Sequence, residues 1–511
     1  MQAYTVTITA LSPLVASGRG NDQNYAVGSS EQAQQPVLTG SAVRGCVLEA
    51  LRSVTHKEPF HWLSDWIGTP DHHATDLKFY FSDCLPKSGY SYVFRTRVAL
   101  DRHTRTVQPG KLISLKAVAP NTEFEGKIFL DSQVQDDHWE EIQTLLESIP
   151  LRIGGSQTSG YGRVRISFSR EPDTGHFDVK KGLYHILLKL HSPFATAKMG
   201  NETTEKRYFN ESLPFLSANA FRSQVPVLRA TPLYPSDKGF TVAVPRTFFQ
   251  KKYGEEGKTL NLLRELLFMS GKGVPSLAQT PSGDGSASER LEIASGNMNS
   301  KTFLPVSNSP VFSTHVQRCP QTRTVKAFWV QQSYKPPYLS ALIHSEDSLS
   351  IPKYLVLGGL RGKGYGQVEV ESVQPYHEWN RWEAPIQSLT KFMEQYALGS
   401  SSDQWYIPIL INSSWVPSDS ASPVEGCVLT PFRFTSPVQI RWYEPSPDDP
   451  NSGMTKVVTG CAAGSVLILQ SPKTLSLNQI IMKLKEAKVK GLGKYTHLGC
   501  GDFEIYPMEE E

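Results

Sequence analysis

The stretch LRIGGSQTSGYGRVRISF at residues 151–168 decides the fold, because its glycine pattern returns later in the chain. Residues 355–370, LVLGGLRGKGYGQVEV, carry glycines at the same offsets, and residues 491–505, GLGKYTHLGCGDFEI, form a degraded copy. The repeated glycines are Gly154, Gly155, Gly160 and Gly162, then Gly358, Gly359, Gly364 and Gly366, then Gly493, Gly499 and Gly501. In each copy apolar residues alternate with polar ones after the glycines, as is typical of a β-strand. The sequence therefore predicts three related units.

Each glycine loop has a predicted strand well upstream, and the first two of these strands end in Ser-Pro. The strands are YTVTITALSP at 4–13, YHILLKLHSP at 184–193 and WYIPILINSSW at 405–415. We therefore expect a first domain at 1–170, a second at 181–375 and a shorter third unit at 384–511. The second domain is predicted to contain a Gly/Ser-rich, mobile insertion at 270–300.

The first unit predicts a mixed fold of class α+β. Val43, Val47 and Leu51 recur at helical spacing, behind Thr39 or Ser41 as the N-cap. The sequence predicts helices at 39–54 and 138–149 and strands at 77–84, 92–100 and 116–130. The resulting order β-α-β-β-α-β is ferredoxin-like. We therefore expect tandem ferredoxin-like (RRM-like) domains with glycine-rich loops and long insertions.

Composition excludes several classes of protein but leaves nucleic-acid binding open. The 511 residues include 52 Lys and Arg against 49 Asp and Glu, which gives a net charge of only +3. Hydrophobic residues at 39% and aromatic residues at 10% exclude a largely disordered chain. No apolar run approaches the roughly 20 residues of a membrane helix, and the N-terminus lacks the basic start of a signal peptide. With six cysteines and no Cys-x-x-Cys pair, we expect a cytoplasmic protein with reduced thiols.

The glycine loops do not fit a nucleotide cofactor. Rossmann and P-loop sites need glycines that open a helix, whereas a strand follows here, so we expect no organic cofactor. Two uses of the glycines stay open: tight turns, or a backbone surface whose exposed N–H groups donate hydrogen bonds to an approaching sugar-phosphate chain. Basic residues beside the loops favour the second use; they are Arg163, Arg361, Lys363 and Lys494.

A basic segment is the strongest nucleic-acid signal in the first unit. Residues 95–116 hold six Lys or Arg against one acid, Asp101. The segment joins two predicted strands through a hinge of Thr, Gln, Pro and Gly, which predicts a protruding hairpin. This hairpin is either a solvated loop or an RNA-binding extension. The residues that we expect to contact RNA are Arg95, Arg97, Arg102, His103, Arg105 and Lys111.

Taken together and in order, these motifs resemble the CRISPR-associated RAMP superfamily. The resemblance rests on LTGSAVRGCVLEALR at 38–52, FSDC at 81–84, the basic hairpin and the GG-x4-G-x-G loop. The ending, CAAGSVLIL at 461–469 followed by the third glycine loop, resembles the large multi-domain RAMP subunit of type III-D effector complexes. This resemblance implies that the chain is a crRNA-binding backbone or capping subunit of an antiviral ribonucleoprotein.

The resemblance also implies roles for single residues. The basic hairpin would be a thumb inserted into the guide–target duplex, and Arg19 and Arg44 would add RNA contacts. Asp22 is the only aspartate on the loop where the family places its RNA-cutting carboxylate, which would work with Mg²⁺ or another divalent ion. Asp83 and Asp101 match motif positions but are expected to be structural. No residue is assigned as a metal ligand.

Several functions remain open at the level of sequence. The expected partners are crRNA, target RNA and other type III effector subunits, including a large polymerase-like subunit, and no membrane. The chain could cut target RNA as an endoribonuclease, or act as a non-catalytic scaffold or cap. It could also process crRNA as a nuclease of the same superfamily, or be an unrelated ferredoxin-like RNA-binding module.

Overall fold

The fold is a mixed α/β arrangement built around antiparallel sheets. The computed structural model describes residues 1–15, 35–54, 62–63, 79–100, 103–104, 106–131, 134, 136–155, 157–172, 175–195, 215–251, 259–271, 291–293, 297–302, 304–306, 310–318, 325–361, 364–398, 403–418, 422–445 and 453–506. The helices in this part are α1 (Gly40–Arg52), α2 (Asp136–Ser148), α3 (Ala218–Arg222), α4 (Leu263–Gly271), α5 (Glu383–Gln395) and α6 (Leu477–Lys490).

The strands group by sequence into three units. The first unit contains β1 (Gln2–Ala10), β2 (Phe79–Phe81), β3 (Leu85–Pro86), β4 (Tyr92–Leu100), β5 (Val107–Val118), β6 (Glu123–Leu130), β7 (Leu151–Arg152) and β8 (Arg163–Arg170). The second contains β9 (His176–Val179), β10 (Gly182–Leu190), β11 (Arg229–Ala230), β12 (Tyr234–Ser236), β13 (Thr241–Ala243), β14 (Phe248–Lys251), β15 (Thr259–Asn261), β16 (Leu291–Ile293), β17 (Asn297–Asn299), β18 (Pro310–Arg318), β19 (Val325–Tyr334), β20 (Tyr338–Ser345), β21 (Leu349–Pro352), β22 (Tyr354–Val356) and β23 (Gln367–Pro375). The third contains β24 (Gln404–Ile411), β25 (Val428–Phe434), β26 (Pro437–Pro445), β27 (Gly453–Cys461), β28 (Val466–Pro472) and β29 (Phe503–Ile505).

The three central sheets share one strand order. The first sheet runs β2-β6-β1-β8, the second β11-β20-β10-β23 and the third β25-β28-β24-β29. In each unit, the first and third strands in chain order lie side by side at the centre, and the second and fourth lie outside them. All of these neighbours pair antiparallel. The glycine repeat therefore marks a repeat of topology.

The helices are distributed unequally among the units. The first unit has a helix after its first strand (α1) and another after its third strand (α2), as the apolar periodicity predicts. Among the described residues, the second unit has the short α3 in the first position, and the third unit has α6 in the second position. Helices α4 and α5 occupy neither of these positions. Helix α6 begins with a capping box between Ser476 and Gln479, which satisfies two backbone N–H groups at its start.

Helix α1 shows why the sequence motif at 38–52 specifies this element. The Thr39 side chain accepts a hydrogen bond from the Ala42 N–H. The buried Asp83 accepts from the Gly40 N–H at 3.0 Å. A carboxylate at a helix N-terminus is favoured by the helix dipole, so the FSDC motif caps α1, and the structural role expected for Asp83 is confirmed.

Each unit also carries a two-stranded hairpin between its second and third sheet strands. The hairpins are β4–β5, β18–β19 and β26–β27. The hairpin predicted at 95–116 is confirmed, whereas those of the other two units were not predicted. The single strand predicted at 116–130 is wrong, because Asn121 takes φ 63° and turns the chain between β5 and β6; asparagine tolerates that left-handed conformation.

Apolar cores lie beneath all three sheets. The first is built on β1, β6, α1 and α2, and includes Trp139, which is 1% exposed. A second lies within the second unit. A third is shared between the second and third units and joins Leu342 to Val466. In the predicted insertion 270–300, the described β16 pairs with β14 and β17 with β13.

Candidate nucleic-acid interface

A short connector after the first strand links the hairpin to the glycine loop in each unit. In the first unit the connector is residues 13–15. Leu14 exchanges backbone hydrogen bonds of 2.9 Å with Val118 at the base of the hairpin. On its other side, the Gly155 N–H donates to the Val15 carbonyl at 2.7 Å, and the Gly162 N–H donates to that of Pro13 at 2.9 Å. Hairpin base, connector and glycine loop therefore form one continuous backbone surface.

The same construction recurs at 193–195 in the second unit. Phe194 and Tyr334 exchange backbone hydrogen bonds of 2.9 and 3.0 Å at the base of the β18–β19 hairpin. The Gly366 N–H donates to the Pro193 carbonyl at 2.8 Å.

The third unit repeats this arrangement of hairpin base, connector and glycine loop at residues 414–416. Trp415 and Cys461 exchange bonds of 2.8 Å, and the Gly501 N–H donates to the Ser414 carbonyl at 2.9 Å. Each of the three units therefore carries one copy of this surface, although the sequence indicates a basic hairpin only in the first unit.

One glycine of each loop is required by the turn itself. Gly162, Gly366 and Gly501 have φ near 75°. A Cβ at these positions would lie only 1.8 to 2.1 Å from a backbone carbonyl oxygen of the same loop. Only glycine fits this close approach, so these three positions have a structural reason that is independent of any ligand.

Hairpin side chains contact the glycine loop in the first unit. Val15, Ala117 and Tyr161 form a small buried cluster. The Arg95 guanidinium lies 5.9 Å from the centroid of the Tyr161 ring, within the range of a cation–π contact. Arg95 is exposed on the hairpin, so it presents a positive charge beside the loop. Next to it, the Phe94 side chain is 68% exposed.

The third unit makes an analogous contact with aromatic residues. The rings of Trp442, on the β26 strand, and Tyr495, in the glycine loop, lie 4.7 Å apart. Both rings are partly exposed, and aromatic side chains beside basic residues are the usual platform on which single-stranded nucleic acids stack. Sequence reasoning missed this pair, because the hairpin at 437–461 carries no dense basic run.

The structure places several of the predicted RNA-binding residues on this surface. Exposed basic positions are His103 at the hairpin end, and Arg163, Arg361 and Lys494 beside the glycine loops. Arg97 lies on β4 and Lys111 lies on β5. At these two positions the structure describes the backbone only. Arg44 is half-buried on α1, and burial, followed by the nearby charge of Arg52, lowers its pKa.

Other predicted residues lie outside the described part of the chain. They are Arg19, Asp22, Arg102, Arg105 and Lys363. The segment that contains Asp22 starts directly after Val15, whose carbonyl binds the glycine loop. Among the described residues there is no group of three or more His, Cys, Asp or Glu side chains that could hold a metal ion.

A glycine of the second loop contacts the first unit. A Cβ at Gly364 would lie 2.9 Å from the Phe81 carbonyl oxygen and 3.0 Å from the Gly40 carbonyl carbon. Close by, Lys335 lies 3.7 Å from the Asp83 carboxylate that caps α1. No pattern within a single unit signals this packing.

A charged cluster also joins the two units. Glu369 lies 2.9 Å from His191, 3.3 Å from Lys353 and 3.9 Å from Lys127 of the first unit. The hydrogen bond from His191, with the nearby lysines, lowers the pKa of Glu369 to about 2. Burial lowers the pKa of His191, so its imidazole is neutral at pH 7 and donates to the carboxylate.

A buried lysine organises the third unit. The Lys488 ammonium is 2.9 Å from Asp502 and 2.5 Å from Glu504, and Lys488 is fully buried. Arg229 of the second unit donates to the Lys488 carbonyl at 2.7 Å. The stretch MKLKEAKVKGLGK at 482–494 is rich in lysine, but its central lysine, Lys488, points inward and has a structural role.

The described cysteines are free and mostly buried, in line with the expected reduced thiols. Burial raises the pKa of Cys46 to about 12 and that of Cys500 to about 11, so these two thiols are protonated and poorly nucleophilic at neutral pH. Within the described residues, no helix is long and apolar enough to cross a membrane.

Comparison with known proteins agrees with the resemblance read from the motifs. Residues 7–165 match the family model of the RAMP superfamily, so the resemblance extends over the first unit. The match ends at β8 and thus covers the first sheet, its hairpin and its glycine loop. No curated protein matches the chain.

The solved structures with detectable similarity include Cmr and CRISPR chains. A chain of the Type III-B Cmr-beta assembly in its apo state is 12% identical, over 32% of this chain and 96% of that chain, with a TM-score of 0.28. Oligomeric Cmr4 from Pyrococcus furiosus is 12% identical, over 34% and 99%, with a TM-score of 0.24. A chain of a Type IV-B CRISPR complex is 14% identical, over 33% and 90%, with a TM-score of 0.25.

Proposed function

We propose that this protein is a crRNA-binding subunit of a type III CRISPR effector complex, built from tandem ferredoxin-like RAMP domains. The observation that carries the proposal is the threefold surface of hairpin, connector and glycine loop, in a chain whose first unit matches the RAMP family. A surface that repeats along one chain suits a ligand that itself repeats, and a nucleic-acid backbone is such a ligand.

The chemistry of the surface supports RNA over a protein ligand. The exposed cations Arg95, Arg163 and Arg361 lie beside glycine loops whose backbones leave little steric bulk. Phosphates are bound by such cations and by backbone N–H groups, and bases stack on rings such as that of Trp442. The overall charge of +3 means that attraction is local to this surface rather than general.

The first unit is also the proposed site of target-RNA cutting, through Asp22. Its segment leaves the connector between the hairpin and the glycine loop, so it begins at the surface proposed to hold RNA. A carboxylate there would orient or deprotonate a 2′-hydroxyl for attack on the adjacent phosphate. A divalent ion bound there would stabilise the charge that develops on the phosphate.

The proposed partners follow from this function: crRNA, target RNA, and other effector subunits, among them a large polymerase-like one. The experiment that tests RNA binding is titration of the purified chain with a 5′-labelled single-stranded RNA at several salt concentrations. We expect binding with a strong inverse dependence on salt, because cations on the protein displace counterions from the phosphates. Binding that is absent, or that does not depend on salt, would contradict the proposal.

A further inference from the structure

The glycine loops of the second and third units are contacts between units. Gly364 packs on Gly40, the first residue of α1. Gly499 occupies the equivalent offset in the third unit, and a Cβ there would lie 2.7 Å from the Cβ of Ala218, the first residue of α3. Both helices are capped at the preceding position, by Thr39 and by Ser217.

The neighbouring strand takes part in the same way at both contacts. The Gly364 position approaches the carbonyl oxygen of Phe81 in β2, and the Gly499 position approaches that of Ala230 in β11, at 2.9 and 3.3 Å. β2 and β11 are the equivalent outer strands of their sheets. The chain thus contains one type of interface twice, in which the loop of one unit covers the helix start and strand end of the preceding unit.

The equivalent glycine of the first unit has no such neighbour in the described residues. Gly160 is exposed, whereas Gly364 and Gly499 are buried. A Cβ at Gly160 would meet no described atom within 4 Å. The loop is nevertheless folded like the others: the Gly160 N–H donates to the Gln157 carbonyl at 3.1 Å, as Gly364 does to Arg361. The described residues therefore leave uncovered a surface with the geometry of the two internal interfaces.

A second copy of this chain offers no matching surface. The starts of α1 and α3 are already covered by the chain's own loops. In the third unit, no helix occurs in the described residues between β24 and β25, at 412–418 and 422–427. Among the described residues, no start of a first helix is left for this loop, in this chain or in a second copy of it.

We propose that the first glycine loop, residues 154–162, docks the start of the first helix of a RAMP-type subunit on another polypeptide. The helix would carry Ser or Thr as N-cap and Gly or Ala at its first position, as α1 and α3 do. The third unit, which lacks that helix in its described residues, closes the opposite end of the array. The inference rests on the proposed membership of a multi-subunit complex, but not on any RNA contact.

The test is Gly160→Asn in the full chain, co-expressed with the other subunits of its effector complex. Asparagine tolerates the φ of +84° at this position, and its side chain meets open space among the described residues, so we expect an unchanged melting temperature. The new side chain would collide with a docked helix, and we expect roughly tenfold less co-purified RAMP subunit. Gly175→Asn is the matched control, because Gly175 also has positive φ and open space.

Photo-crosslinking from a benzoylphenylalanine placed at the exposed position 159, beside the contact glycine, identifies the occupant. We expect a crosslink to the first helix of a RAMP-type subunit. A crosslink to residues 16–34 of the same chain, or to a second copy, would overturn the proposal, as would unchanged subunit recovery in Gly160→Asn. RNA binding by the isolated chain is measured in parallel. If Gly160→Asn loses RNA binding but still co-purifies with the RAMP-type subunit, the docking proposal is wrong. If the wild-type chain binds no RNA, the proposed function fails, whatever the result for docking.

Discussion

Gly364 lies against Gly40: a Cβ on the former would come within 3.0 Å of the carbonyl carbon of the latter. The glycine loop of the second unit therefore packs on the first turn of α1 in the first unit. This relationship turns a sequence repeat into an ordered array, since the third unit makes the equivalent contact with the second.

We expect Gly364→Ala to destabilise the protein more than Gly160→Ala. Both substitutions place a Cβ at positive φ, which costs about 1–2 kcal/mol. Only Gly364→Ala also pushes a Cβ into backbone atoms of another unit, which adds about 1–3 kcal/mol. Urea unfolding of the two variants measures the difference, and equal losses would show that the Gly364 contact contributes nothing.

Lys488→Met should lower the free energy of unfolding by about 3–5 kcal/mol, because it leaves Asp502 and Glu504 buried without their cation. Lys483→Met serves as the control, since Lys483 pairs with Glu425, whose side chain is 88% exposed, and such surface pairs contribute about 0–1 kcal/mol. Thermal unfolding at pH 7 compares them. A Lys488 variant as stable as the control would refute the structural role of the buried cluster.

The charged cluster at Glu369 predicts a loss of stability in acid. The pKa of Glu369 is about 2 in the folded protein, below its ordinary value of 4.5. The stability that ionised Glu369 contributes to the folded protein is therefore fully present above pH 4.5, and it is lost as the pH falls from 4.5 towards 2. We expect Glu369→Gln to show a smaller fall in melting temperature between pH 6 and pH 3 than wild type. Glu371→Gln, two residues along β23 and exposed, should behave like wild type; identical profiles for all three would contradict the assignment.

Removal of charge from the first hairpin should weaken RNA binding and flatten its salt dependence. For the triple variant Arg102→Ala/Arg105→Ala/Lys111→Ala, each lost phosphate contact should reduce the slope of log K against log salt by about 0.7 on single strands. The control is Lys180→Ala/Lys181→Ala/Lys391→Ala, which removes the same charge from exposed positions away from the hairpins. If the slope of log K against log salt changes equally in the two variants, the loss reflects total charge, and the hairpin is not an RNA-binding thumb.

Asp22→Ala should remove one cut from target RNA and leave crRNA binding intact. Loss of a positioned acid–base group costs roughly 10² or more in rate, and one loop carboxylate adds no affinity for a polyanion. Cleavage of labelled target by the purified complex, with and without a chelator, gives the ladder of products; Asp178→Ala, exposed on β9, is the control. Survival of every band in Asp22→Ala would make this chain a scaffold at that position.

The sequence is informative wherever one local pattern decides the structure. The apolar spacing at 39–54 predicts α1 to within two residues, and the glycine offsets predict three loops whose equivalent residues, such as Gly162 and Gly366, share the same conformation. A positive φ is a local requirement, so glycine reveals it directly.

Contacts between units could not be predicted in this way. The docking of Gly364 on Gly40 depends on how two sheets pack, and the inward direction of Lys488 depends on carboxylates that only the fold brings near it. The second and third hairpins escaped prediction because β18–β19 and β26–β27 lack the basic run that marks the first. Their equivalence is visible only in the backbone bonds at Phe194 and Trp415.

The central claim, that this chain binds crRNA, is tested most directly by the RNA that co-purifies with it from cells that carry its own effector genes. The RNA is extracted from the purified complex, end-labelled, sized on a denaturing gel and sequenced. We predict small RNAs of one defined length or a regular series of lengths, sharing a common 5′ segment, and depleted when the first hairpin loses its charge. Absence of RNA, or fragments of random length and sequence that match total cellular RNA, would contradict the account.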